Sequence, residues 1–146
     1  MGPMRAACRF ARWLAERGLL DRVERVHVEL FGSLALTGQG HATDRAVLLG
    51  LIGNEPASID PALIESTVAR IRSLKLIDLA GMRPIGFDEA RDLIFRRETM
   101  FPPGAQMQHP NGLRELKALH FRFRREVCLM RITAQAFCTS CRKAKF

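Results

Sequence analysis

The sequence predicts an α+β domain: a small mixed or antiparallel sheet covered by helices. Three observations carry that reading. Apolar residues recur at helical spacing in three separate stretches. Between and after them lie short apolar runs of strand length, bounded by Gly, Pro and Asp. The two kinds of segment are intermixed without the strict strand–helix–strand alternation of a parallel α/β fold. A chain of 146 residues, 47% of them hydrophobic, suits one compact domain with a real core and excludes general disorder.

Met4, Ala7, Cys8, Ala11, Leu14 and Ala15 fall on one helical face, with Arg5, Arg9, Arg12 and Glu16 on the other, and the helix ends near Gly18. The basic face reads as solvated, with Arg5, beside Gly2-Pro3, kept as an anion contact; Trp13 reads as core packing. From Val23 to Phe31 the period changes to two. Val26, Val28 and Leu30 point one way and His27 and Glu29 the other, so His27 is a solvent-facing strand histidine with no role.

A glycine-bearing loop follows from Gly32, then a buried helix from about Thr43 to Leu51. Thr43 is placed to cap that helix, and Asp44 sits in its first turn, where the dipole favours negative charge. Asp60 caps the next helix, with Pro61 at its first position and Ile64, Val68 and Ile71 as its buried stripe. Leu74–Leu79, Ile85–Phe87 and Leu93–Phe95 read as strands of a small sheet. Pro102-Pro103-Gly104 opens a loop that ends in His109-Pro110-Asn111-Gly112. Beyond Gly112 periodicity is lost. The expected organisation is a domain over 1–112 and a divergent basic tail, disordered or frameshifted, over 113–146.

The charge supports that division. Residues 113–146 hold nine Lys/Arg against two Asp/Glu, a net +7 out of the chain's +8. Such a tail binds phosphates weakly and without specificity, so no specific nucleic-acid partner is expected. Cys8, Cys128, Cys138 and Cys141 read as free thiols. Cys138-Thr139-Ser140-Cys141 is a lone CxxC for which chance is favoured over zinc or redox use. The longest apolar run, Ala46–Ile52, is too short to span a bilayer, and the start lacks a secretory layout or a myristoylation signal. The chain reads as cytoplasmic, with no membrane partner.

Gly38-Gln39-Gly40-His41-Ala42-Thr43 opens like a dinucleotide fingerprint but has Thr43 where the third glycine belongs, and neither a Walker motif nor a nucleophile elbow is present. His41 and His109 both lie in glycine- or proline-rich loops. Either imidazole could act as a general base or hydrogen-bond a carboxylate, or could satisfy loop backbone groups instead. His41 has the stronger position, before a helix N-terminus that favours anions. Asn111 before Gly112 also fits a simple tight turn.

Three separated motifs resemble the β domain of iron–sulfur L-serine dehydratases (L-serine ammonia-lyases). They are Gly2-Pro3-Met4-Arg5-Ala6-Ala7, the run from Gly32 through His41 and Asp44 to Leu51, and His109-Pro110-Asn111-Gly112, in the right order over residues 2 to about 112. The family converts L-serine to pyruvate and ammonia with a [4Fe–4S] cluster whose open iron position acts as a Lewis acid on the departing hydroxyl.

The resemblance implies that His41 is the acid/base group. It implies that Ser33 and Thr43 hydrogen-bond the substrate carboxylate, and that His109 and Asn111 wall the site or contact a small ligand. The cluster belongs to an α domain or subunit, because Cys8, Cys128, Cys138 and Cys141 match none of its ligands; this chain alone is expected to hold no cofactor. L-serine, the α partner and a homo-oligomer are the implied associations. The β domain is also similar to the allosteric substrate-binding domain of some phosphoglycerate dehydrogenases, which makes a regulatory serine- or hydroxy-acid-binding module the second expectation. Two departures accompany the match. The Ser-Ser-His-Thr-Val that usually precedes Gly-Pro-Met is not matched before Gly2, and 113–146 does not resemble the family's glycine-rich ending. The expectation is therefore a β domain truncated at the front, altered at the back, and inactive without its α partner.

Overall fold

The computed structural model describes residues 2–32, 35–36, 42–97, 119–122 and 128–136, and in the last two segments the side chains of Met130 and Ile132 alone. Helix α1 spans Gly2–Glu16 and buries Met4, Ala7, Phe10, Ala11 and Leu14 along one side. Gly18, at φ +65°, supplies the left-handed residue that ends it. A single 3₁₀ turn, Leu20–Arg22, leads into β1, Val23–Gly32. The period-two expectation holds on one face, where Val26, Val28 and Leu30 are fully buried.

Helix α2 is Thr43–Ile52, and Gly53 ends it at φ +102°. Ala42, at φ +66°, is the residue that caps its start, and Thr43 is the first helical residue. The expected capping role of Thr43 is thus displaced by one position, because the left-handed turn at Ala42 brings the chain into helical geometry earlier. Asp44 does lie in the first turn. Helix α3, Pro61–Leu74, starts as expected: the Asp60 carboxylate accepts from the Ala62 amide at 2.9 Å, and Val68 and Ile71 are buried.

Strands β2, Leu76–Leu79, and β3, Arg83–Gly86, form a hairpin through Ala80 and Gly81, both at positive φ, the geometry of a type I′ turn. A one-turn helix α4, Glu89–Asp92, then precedes β4, Leu93–Arg96. The three short strands therefore do not share one sheet. β2–β3 stands alone, and β4 pairs in parallel with β1.

The stretch beyond Gly112 departs further from expectation. It supplies β5, Leu119–Arg122, and β6, Cys128–Ala136. β6 runs antiparallel to the whole of β1, from Val23↔Ala136 to Gly32↔Cys128, and β5 pairs with β6. The mixed four-stranded sheet has the order β4-β1-β6-β5. Met130 and Ile132 pair with Leu30 and Val28 and are buried with them. These strands and the apolar sides of α1, α2 and α3 enclose one core, which the hairpin closes through Ile77, Leu79 and Ile85.

The α1–α2 crossing has no space for a side chain on Gly50. A Cβ there would stand 2.3 Å from the Met4 carbonyl oxygen and 2.7 Å from the Ala7 Cβ. Gly50 is therefore what lets the two motif-bearing helices approach at backbone distance.

Candidate functional site

The start of α2 is the part of the expected site that the structure describes. Among the five residues singled out in the sequence, Thr43 lies there, partly buried at the first helical position. Ser33, His41, His109 and Asn111 lie outside the described residues.

Two ion pairs hold this helix start against α3. Asp44, with 17% of its side chain exposed, accepts from Arg72 at 2.9 Å, and Arg45 pairs with Glu65. Arg72 also forms a two-pronged bond with Glu89 of α4, at 2.7 and 3.0 Å. The hydrogen bond it donates to Glu89 is the main reason its guanidinium is held even more firmly protonated than usual, with Asp44 adding to it against the opposing cost of burial. The result is an Asp44–Arg72–Glu89 chain joining α2, α3 and α4, which fixes the start of α2 against its neighbours. A helix start fixed this way presents amide N–H groups and a positive dipole end, suited to an anionic group such as a carboxylate.

Arg72 went unread in the sequence because it lies on the polar side of α3, 28 residues from Asp44. Nothing local marks that pairing.

A second charged constellation anchors β1. Asp92 is fully buried. Its carboxylate accepts from Arg25 Nε at 2.9 Å, from the Asp88 amide at 2.9 Å and from Arg91 at 3.4 Å. Burial pushes this carboxyl up, but the Asp88 amide and the guanidinium groups of Arg25 and Arg91 outweigh it and hold it below its ordinary value. His27 Nδ1 lies 3.4 Å from the same carboxylate and the side chain is one-quarter exposed, which corrects the solvent-facing assignment. Alternation along β1 gave the right face; the buried carboxylate on that face comes from 65 residues later in the chain.

An iron–sulfur cluster needs several thiolate ligands. Among the described residues no group of three or more His, Cys, Asp or Glu side chains could hold a metal. Cys8 is buried with its thiol donating to the Gly53 carbonyl at 3.5 Å; burial pushes it up, away from the thiolate a metal requires. The described residues do not fit a cluster. No described helix is long and apolar enough to cross a membrane.

The sequence profile of the serine dehydratase beta chain matches residues 1–127. The chain is 43% identical over 113 residues to the L-serine dehydratase of Streptomyces coelicolor, which covers 77% of this chain and 24% of the relative. It is 39% identical over 114 residues to L-serine dehydratase 1 of Escherichia coli, at 77% and 24% coverage. It is 44% identical over 113 residues to the L-serine dehydratase of Helicobacter pylori strain J99, at 77% and 23%. The chain thus spans about a quarter of the length of the curated relatives it matches. The match runs through α1, the Gly32–Asp44 stretch, the clamp on α2 and the His109–Gly112 motif, and by it the chain belongs to the serine dehydratase beta chain family.

Proposed function

We propose that this chain is the β-domain part of an iron–sulfur-dependent L-serine dehydratase, a cytoplasmic lyase that converts L-serine to pyruvate and ammonia, and that it is inactive without an α domain. The observation that carries the reading is the family match over residues 1–127, which contains His41 and the clamped start of α2. In this reading the cluster is held by the α partner, and what this chain contributes is binding and proton transfer. Ser33 and Thr43 hydrogen-bond the substrate carboxylate beside the α2 N-terminus. His41 removes the α-proton, an imidazole being able to do so near neutral pH. Loss of water across Cα–Cβ leaves an enamine, which tautomerises and hydrolyses to pyruvate and ammonia. His109 and Asn111 close the site wall.

The test is reconstitution. The chain is mixed with an α domain under anaerobic conditions with iron and sulfide, and pyruvate is followed after L-serine is added. Pyruvate from the mixture and none from the isolated chain is the expected result. Turnover by the isolated chain, or none by a mixture that has assembled its cluster, contradicts it. The clamped start of α2, suited to an anionic group whether or not chemistry follows, is equally consistent with a second reading, a serine- or hydroxy-acid-binding regulatory module without chemistry. Calorimetry with L-serine separates the two: saturable binding without the α partner supports the module.

A further inference from the structure

Arg5, Cys8, Arg9 and Arg12 stand at i, i+3, i+4 and i+7 on α1 and so share one side of the helix. The turn that follows α2 runs opposite them. Between the two lies a pocket of ≈ 250 Å³ lined by Arg5, Cys8, Arg9, Glu55, Pro56 and Ala57. At about 30 Å³ per water this is room for about eight waters, or one small molecule.

The charge in the pocket is one-sided. Glu55 is engaged by Arg12 at 2.5 Å, whereas Arg5 and Arg9 are exposed and have no acidic partner among the described residues. Cys8 stays a neutral thiol, because its burial raises it, and its Sγ is committed to the Gly53 carbonyl. The first turn of α1 holds no acidic residue to offset its positive dipole end, and Arg5 extends from that turn.

We propose that this pocket binds a small oxyanion, a carboxylate or phosphate group, between the guanidinium groups of Arg5 and Arg9. Each guanidinium presents a planar fork of donors that matches two oxygens of such a group. Glu55, the acidic residue of the lining, is paired with Arg12, which offsets its charge toward the ligand. The lining shares no residue with the start of α2, and the proposal does not rest on the dehydratase reading.

The experiment is calorimetry on the full chain at constant ionic strength, with inorganic phosphate and with pyruvate as separate probes and chloride as control. Saturable binding of phosphate, pyruvate or both is expected, and the stronger probe identifies the class of headgroup. The double variant Arg5→Gln/Arg9→Gln should weaken it by at least about tenfold, the loss expected for removing charge-assisted hydrogen bonds. Glu55→Gln removes the competing carboxylate and frees Arg12, so it should tighten binding severalfold. Because Arg5 and Arg9 are exposed, circular dichroism should show folding unchanged. No saturable heat with either probe, binding undiminished in the double variant, or weaker binding in Glu55→Gln overturns the proposal.

Discussion

Asp92 is the one fully buried charged side chain among the described residues, and its bonds tie β1 to the start of β4. An unfolded Asp titrates near about 3.9. Its folded value is lower, so its stabilisation is fully present above the unfolded value and is lost as pH falls through the folded one. Asp92→Asn should therefore cost about 2–4 kcal/mol at neutral pH, by leaving Arg25 and Arg91 without their carboxylate. It should also flatten the fall in stability below about pH 4. Urea unfolding across that range checks both, and acid limbs of equal slope in variant and wild type would count against the assignment. Residues whose meaning is local were legible in the sequence: Asp60 before Pro61, Asp44 in a first turn, and the buried face Val26, Val28, Leu30. His27 was misread because its neighbour Asp92 arrives through the fold.

At the scale of elements, two contacts set where α2 lies. The first is the backbone approach at Gly50. Gly50→Ala gains up to about 1 kcal/mol of helix propensity but forces a Cβ against the Met4 carbonyl, an overpacking cost of about 1–3 kcal/mol that backbone atoms cannot easily relieve. A net loss of stability, read as a lower denaturant midpoint, is expected; a gain would show that the crossing is looser than described. The second contact is the Asp44–Arg72–Glu89 chain. Arg72 is two-fifths exposed, so Arg72→Ala should cost only about 1 kcal/mol in stability. In a reconstituted enzyme, turnover should fall further than that stability change alone explains, since the helix start would lose its anchor. Unchanged turnover in a folded variant would leave the clamp a purely structural feature. Neither contact is legible in sequence, because α1 against Gly50 and α3 against Asp44 are choices of packing. Helix existence was legible from periodicity, whereas the cap residue shifted from Thr43 to Ala42 through one left-handed turn.

For the whole molecule, the largest difference between sequence and structure is β6. Its alternation of Met130, Ile132, Ala134 and Ala136 with Arg131, Thr133 and Gln135 is a strand signal that the basic charge around it obscured, and the strand takes its register from β1 along Val23–Gly32. Met130 and Ile132 enter the same core as α1 and α2. Ending the chain at residue 112, or Ile132→Asp in the full chain, should therefore expose a β1 edge and give insoluble or unfolded protein. A soluble, cooperatively unfolding 1–112 fragment would instead make the later strands dispensable.

With β6 paired to β1, the fold holds the start of α2, and the proposed dehydratase role rests on the imidazole of His41, just before that helix in the sequence, moving the substrate proton. The direct measurement is pyruvate formation from L-serine by the chain assembled with its α partner, wild type against His41→Ala at equal cluster content. A fall of about 10²–10⁴-fold is expected for loss of a general base; equal turnover by the two assemblies would contradict the account.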